Sequence, residues 1–395
     1  MQKKLKIGIV LSAAPGYSET FFRSKINGLQ KAGHEVILFV GRKPLEAQPC
    51  RVVYYWPVYR WTLWQFVVMA WGLLSVFCRA PRRVWRFYCL ERQSGNGFKQ
   101  AIENLYLNSH IIPIRLDWLH FGFATMALRR ENVAQAMGAK MAISLRGYDI
   151  TIYPLKHPNC YKLLWDKVDK IHTISDSLLA LAYQTGLSTK KTAVKITPAI
   201  DTLQFKASAS TPTTFNVKLQ LLTIARLSWV KGLEYTLEAL SILKKQGIEF
   251  QYTVIGDGEE YERLVFAALQ FGIRDQVHFA GKMPHIEVKA AMEQSDIYLQ
   301  YSISEGFCNA VLEAQAMGLL CIVSDAEGLP ENVLHSETGW VVPRRRPDLL
   351  AAQIEQVRLM PPAQQHTVKQ RAIQRVREEF NIEKQIQAFL QFYSS

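Results

Sequence analysis

The chain has 395 residues, 49% of them hydrophobic, and a formal net charge of +13. That length and apolar content suit two packed domains of ordinary size rather than a single small one. A basic chain invites a nucleic-acid reading, but no basic run is interleaved with stacking aromatics and no such module is recognisable, so nucleic acid is not an expected partner.

The charge is uneven. Residues 1–200 hold 28 Lys and Arg against 11 Asp and Glu (+17), whereas residues 201–395 hold 19 against 23 (−4). The N-terminal half therefore points to an anionic partner. It opens on Met-Gln-Lys-Lys-Leu-Lys and an apolar run, Ile7-Gly-Ile-Val-Leu-Ser-Ala-Ala. As the core of a signal peptide that run is at the short limit. It flows into Pro15-Gly16-Tyr-Ser18-Glu19-Thr20-Phe21, then an amphipathic helix, then an apolar run after Gly33. The whole reads as a βαβ unit, with a first strand rather than a leader. At its turn, Gly16 lets backbone N–H groups approach a phosphate; equally, the turn is a simple one with Ser18 as helix cap.

Residues 61–78 carry no charge, and three of them are tryptophans. The run is slightly short of the roughly 20 residues a bilayer span needs. Thr62, Gln65 and Gly72 form one narrow, weakly polar stripe; Arg79, Arg82, Arg83 and Arg86 follow, with Pro81 starting a second helix. Tryptophans beside an arginine cluster suit a helix lying in the headgroup layer of an anionic membrane, so residues 61–86 are read as membrane-facing. A hairpin packed inside the N-terminal domain is the alternative, and a true span a third.

Asp117-Trp-Leu-His120-Phe-Gly122 is a strand ending in His and Gly. Strand ends in α/β domains face the ligand cleft, although a histidine there is often a satisfied core residue. The next strand ends Ser144-Leu-Arg146-Gly147-Tyr148-Asp149. The low-complexity run Ala207-Ser-Ala-Ser-Thr-Pro-Thr-Thr214 marks an interdomain linker. Domains are expected over 1–205 and 206–379, with a last helix over 380–395 returning to the first. Strands alternate with helices throughout, so both should be α/β with parallel sheets. The six cysteines are scattered without metal or redox spacing, which suits a reducing cytosol.

In the second half, a strand from Leu219 leads into Arg226-Leu-Ser-Trp-Val-Lys231-Gly232. An Arg and a Lys on one strand-to-helix loop can converge on a diphosphate, as a planar fork and a point charge. Tyr252-Thr-Val-Ile-Gly256-Asp-Gly258 is another strand into a Gly turn, shaping the floor under a nucleotide. A strand from Asp296 then runs into Glu305-Gly306-Phe307-Cys308-Asn309 and the helix carrying Glu313, with Asn309 as cap and Gly318 past the end. The helix N-terminus is a seat for phosphate. Two carboxylates flanking that seat match a nucleotide-sugar, with hydroxyls at both ends and a diphosphate between.

Glu305 and Glu313, with Gly328-Leu-Pro-Glu331-Asn and Glu337-Thr-Gly-Trp following in order, resemble the E-x7-E region of retaining glycosyltransferases of family 4. The resemblance implies a GT-B fold: two Rossmann-like domains facing each other across a cleft. It implies that Glu305 touches the donor sugar, that Glu313 bonds the ribose, and that Arg226 and Lys231 bind the diphosphate and offset charge on the leaving group. Gly306, Phe307, Cys308, Asn309, Gly256 and Gly16 would complete donor binding, and His120 would contact the donor sugar. Ser18, Glu19, Arg146 and Asp149 would face the acceptor; relatives often have His where this chain has Arg146. No Asp-x-Asp motif occurs, so neither a metal nor another cofactor is expected. The Ser-Glu-Thr-Phe and Arg-Gly-Tyr-Asp segments are most similar to enzymes building bacterial exopolysaccharide on polyprenyl-diphosphate carriers. That implies a lipid-linked glycan acceptor and a cytoplasmic enzyme peripheral to the inner membrane face. A nucleotide-sugar epimerase of the same fold and a non-catalytic sugar-binding relative are the competing readings.

Overall fold

The computed structural model describes residues 4–15, 20–42, 48–59, 62–206 and 218–394. Gly16, Ser18 and Glu19, and the linker expected at 207–214, lie outside the described residues. Among these residues the strands form two sheets, parallel throughout. The first contains β1 (Lys6–Leu11), β2 (Glu35–Val40), β3 (Arg51–Tyr54), β4 (Trp118–Phe121), β5 (Lys140–Leu145), β6 (Lys170–Thr173) and β7 (Thr192–Lys195). Their order is β3-β2-β1-β4-β5-β6-β7. The second contains β8 (Leu219–Ile224), β9 (Phe250–Ile255), β10 (Val277–Gly281), β11 (Ile297–Gln300), β12 (Leu320–Ser324) and β13 (Trp340–Val342), in the order β10-β9-β8-β11-β12-β13. Each sheet reverses its direction of winding once, between β1 and β4 and between β8 and β11. In open α/β sheets the loops beyond the strand ends at such a point hold the ligand.

Central strands covered by helices on both faces read as continuous apolar runs. Ile7, Ile9, Val10, Ile37, Leu38 and Phe39 are wholly buried, as are Ile297, Leu299, Ile322 and Val323. The apolar segment after Lys6, which resembled a leader, is thus an inner strand of the first sheet, between β2 and β4. All six cysteines are free.

The chain divides into two compact units, Met1–Ile196 with Ile386–Ser395, and Thr197–Gln385. The boundary falls before the expected 205, because residues 197–205 are held within the second unit. Ile200 N–H donates to the Phe380 carbonyl at 3.0 Å, and Phe205 meets the His285 ring at 6.4 Å. The last helix, Ile382–Ser394, belongs to the first unit only from Ile386 onward. There Phe389, Phe392 and Tyr393 are buried with Ile7, Phe21, Ile26 and Trp118. The Trp118 indole donates to the Tyr393 carbonyl at 3.1 Å, and Lys170 Nζ to the Phe392 carbonyl at 2.7 Å.

Residues 62–93 form two helices, Thr62–Arg79 and Pro81–Gln93, with a bend of 116° between Leu63–Arg79 and Pro81–Gln93. Gln65 and Gly72, of the weakly polar stripe of the first, face the protein. Gly72 is buried against the Tyr106 ring, and Gln65 accepts the Tyr59 N–H at 2.7 Å. The apolar stripe faces outward: Leu63, Trp64, Val67, Trp71, Leu74 and Phe77 are all exposed, Leu63 by 83%. A hairpin packed wholly inside the domain is therefore not what forms. Among the described residues no single helix is long and apolar enough to cross a membrane.

Phe389 is fully buried, so Phe389→Ala is expected to destabilise the first unit by about 3–5 kcal/mol. Hydrogen exchange at β4 and β5 should report the loss, with β8 and β11 unaffected. Equal protection of β4 in wild type and variant would show that the last helix contributes nothing to that core.

Candidate active site

The loop after β8 and the loop after β11 are stitched together at the switch point of the second sheet. The N–H groups of Ile303 and Ser304 donate to the Val230 carbonyl at 2.8 and 3.2 Å. Gly232, at φ +62°, lets the backbones meet, since a Cβ there would lie 2.2 Å from the Tyr301 carbonyl oxygen. This approach forms an ion pair between Lys231 Nζ and Glu305 Oε2, residues 74 apart in the chain, with side chains only 17% and 12% exposed. Ser302 Oγ donates to the same carboxylate oxygen at 3.3 Å. Burial alone would lower the Lys231 pKa, but the Glu305 carboxylate outweighs it and holds the ammonium above its usual range. Arg226 stands exposed at the head of the loop. It makes no ion pair among the described residues, yet lies close enough for its charge to oppose that of Lys231.

A second layer holds Glu305 in place. Its N–H donates to Glu327 Oε2 at 2.7 Å, and its carbonyl accepts from the Gly328 N–H at 2.9 Å. Gly328 sits so close to the Gly306 carbonyl that a Cβ would lie 1.9 Å from its oxygen. Arg344 ties the layer together: Nη1 lies 3.1 Å from Glu327 Oε1 and 2.7 Å from the Ile303 carbonyl, and Nε 3.3 Å from Asp325. Sequence reasoning did not assign Ser302, Glu327, Asn332 or Arg344. The available signal was the dense Gly-Leu-Pro-Glu-Asn run after Glu327.

The helix Asn309–Ala316 starts one residue earlier than expected, with Cys308 rather than Asn309 as its N-cap and no capping side chain on either. Asn332, fully buried, does the work: Oδ1 accepts the Cys308 N–H at 2.9 Å and Nδ2 donates to the Cys308 carbonyl at 3.1 Å. Burial, reinforced by Glu305, pushes the Cys308 thiol up to about 12 against the opposing effect of Lys231, so it is neutral. The Phe307 ring is buried 5.6 Å from Phe380. The side chains of Phe307 and Cys308 therefore pack inward. Gly256, at φ +142°, fits the turn after β9 against the Ala225 carbonyl. Glu313, one turn into the helix, is half-buried and makes no side-chain hydrogen bond among the described residues; burial pushes its carboxyl up to about 8.

The first unit treats its expected site residues differently. His120 is fully buried on β4 and saturated. The His172 Nε2 faces the Ile196 carbonyl at 3.0 Å and so carries the proton. His172 Nδ1 then accepts from Ser144 Oγ at 2.8 Å, Ser144 accepts from His120 Nε2 at 2.8 Å, and His120 Nδ1 accepts from the Tyr393 hydroxyl at 2.6 Å. Burial, then the Lys25 charge, drives the His120 pKa well below its usual value. A neutral histidine with both nitrogens occupied is part of the scaffold, so a sugar contact by His120 is corrected. Asp149 is likewise spent on structure: its carboxylate accepts the N–H groups of Ala124, Arg146 and Gly147 at 3.1, 3.1 and 2.9 Å. The Arg146 guanidinium lies 4.0 Å from the Phe21 ring centre and 4.8 Å from that of Phe22. The three backbone N–H groups thus account for Asp149 as a structural residue, while Arg146 is seated on two aromatic rings.

What the second unit brings together is an exposed guanidinium, a part-buried ammonium–carboxylate pair and an unsatisfied carboxyl. Cationic donors on one loop suit a diphosphate, and the carboxylates suit hydroxyls. Residues 210–375 match the family described as Glycosyl transferases group 1. Over 98% of its length the chain is 26% identical to the whole of a Salmonella typhimurium protein named "Putative colanic acid biosynthesis glycosyltransferase WcaL". It is 29% identical to the amylovoran biosynthesis glycosyltransferase AmsK of Erwinia amylovora, over 59% of each chain. In fold it is similar to Anabaena Alr3699/HepE, solved with UDP and glucose, at a TM-score of 0.73 and 15% identity over 99% of both chains.

The unfolded chain ionises Glu313 near 4.5, whereas the folded protein keeps it protonated up to about 8. The folded state binds more protons across that window, so stability falls as pH rises through it. Glu313→Gln should flatten this fall when thermal midpoints are compared from about pH 4.5 to 8. An unchanged slope would mean the carboxyl is not held neutral.

Proposed function

We propose that this chain, a glycosyltransferase of GT-B fold with a group 1 domain over residues 210–375, transfers a hexose-type sugar from a UDP- or GDP-sugar with retention of configuration. The acceptor is a lipid-linked glycan, polyprenyl diphosphate-borne, in bacterial surface polysaccharide synthesis. The observation that carries the reading is the Lys231–Glu305 pair, clamped between two loops at the switch point with Arg226 exposed beside it.

In this reading Arg226 and the remaining N–H groups of Lys231 gather on the donor diphosphate, without a metal ion or other cofactor. As the bond from the anomeric carbon to the leaving phosphate oxygen breaks, both cations offset the charge that develops there. Glu305, fixed by Ser302 and the Glu327 layer, aligns the sugar hydroxyls, and Glu313 accepts from the ribose hydroxyls. The acceptor hydroxyl forms its new bond on the face the phosphate leaves, and the phosphate oxygen takes the acceptor's proton. The basic balance of residues 1–200 and the exposed apolar stripe beside Arg79, Arg82 and Arg86 support an acceptor held at an anionic membrane surface, reached from the cytoplasm.

Nucleoside-diphosphate release from a panel of nucleotide-sugars, with a polyprenyl-diphosphate sugar as acceptor, tests the reading. Release should require the acceptor and fall by about 100-fold or more in Glu305→Gln. Sugar conversion without acceptor would establish an epimerase instead, and neither turnover nor binding across the panel would leave a non-catalytic relative. For the membrane, the protein should float with anionic vesicles, less so in high salt, and Trp64→Glu with Trp71→Glu should abolish flotation. Wild type remaining at the bottom of the gradient, or a dimer in the absence of lipid that the double variant dissociates, would refute membrane contact by this stripe.

A further inference from the structure

A cavity of about 540 Å3 opens in the first unit between the helix Thr62–Arg79, the helix Phe98–Asn108 and residues 58–59. Its apolar wall is made by Val58, Phe66, Met69, Phe98, Ile102 and Leu107. The polar groups at the wall are largely engaged with the protein. The Tyr106 hydroxyl donates to the Pro57 carbonyl at 2.7 Å, and Gln65 Oε1 accepts the Tyr59 N–H at 2.7 Å. Arg129 pairs with Glu103 at 2.9 Å and donates to Asn104 Oδ1 at 2.8 Å. An occupant that brought its own polar groups inside would find few partners, so the cavity suits hydrocarbon.

The mouth lies on the outward apolar stripe. Phe66 belongs both to the wall and to the exposed face of its helix, and Phe98, across the mouth, is 66% exposed. Phe98 meets the Tyr88 ring at 6.3 Å, and Tyr88 meets Trp85 at 5.9 Å. Trp85 lies within one turn of the exposed Arg82 and Arg86. Lys99, also exposed, lines the cavity and makes no ion pair among the described residues. The rings of Phe98, Tyr88 and Trp85 thus lead from the hydrocarbon wall to the helix that carries Arg82 and Arg86, and Lys99 stands at the wall itself.

We infer that this cavity receives the isoprenoid chain of the polyprenyl-diphosphate acceptor, with Lys99, Arg82 and Arg86 meeting its phosphates. An isoprenoid carrier is hydrocarbon up to its first phosphate oxygen. A glycerolipid carries ester groups between chain and phosphate, and these would enter a wall whose polar groups are mostly engaged. The inference rests on the lipid-linked acceptor reading and narrows it to a site.

Farnesyl diphosphate, a water-soluble probe with the same chain chemistry, should bind the full-length protein in calorimetric titration. Ile102→Trp, which fills the cavity, and Phe98→Asp, an exposed change at its mouth, should each weaken binding at least tenfold. Hydrogen-exchange protection of β4 and β5 should be unchanged in both, which shows that the first unit is folded, and nucleoside-diphosphate binding should be unchanged as well. Unaltered probe affinity in both variants would overturn the inference, as would equal displacement by a lauroyl lysophosphatidate. Flotation with vesicles but no probe binding would remove the cavity site alone; probe binding lost in the variants, without flotation, would support the site and remove the membrane surface alone.

Discussion

The second unit is organised around one contact, the ion pair between Lys231 and Glu305. Neither residue could hold its place alone. A lone ammonium or carboxylate at that depth would be costly to desolvate, and each offsets the other's cost. The pair exists because the loops after β8 and β11 meet where the sheet changes its winding direction, and because Gly232 has no Cβ to keep them apart. Everything in the second layer, from Ser302 to Arg344, fixes one side of that contact.

Much of this was readable from residue order. Strand–loop–helix spacing revealed two parallel α/β units and put Arg226, Lys231, Glu305 and Glu313 on loops or helix starts. That Lys231 and Glu305 pair with each other was not readable, because 74 residues separate them and each was assigned to a different part of a donor. Nor was the cap: Asn309 is a good capping residue by type, but Asn332 reaches the Cys308 backbone from another segment. Long-range replacement of a local signal leaves no periodicity to detect.

The first unit shows the opposite error. His120 and Asp149 are residue types that do chemistry, placed at strand ends where chemistry happens. The hydrogen bonds of His120 are consumed by Ser144 and Tyr393, 24 and 273 residues away, and those of Asp149 by Ala124 and by its own turn at Arg146 and Gly147. A polar residue at a strand end is a site only if the fold leaves it unsatisfied. The helix Thr62–Arg79 inverts the usual logic as well, with Gln65 and Gly72 turned inward and Trp64 and Trp71 outward.

The core of the first unit is assembled from two stretches of chain that flank the whole second unit. Phe389, Phe392 and Tyr393 close a layer whose other members lie before residue 197. During synthesis the first sheet can pair its strands early, but a face containing Trp118 and the His120 network stays open until roughly 190 further residues have been made. The first unit thus cannot be completed before the second has been made. In chain order the second is an insertion within the first.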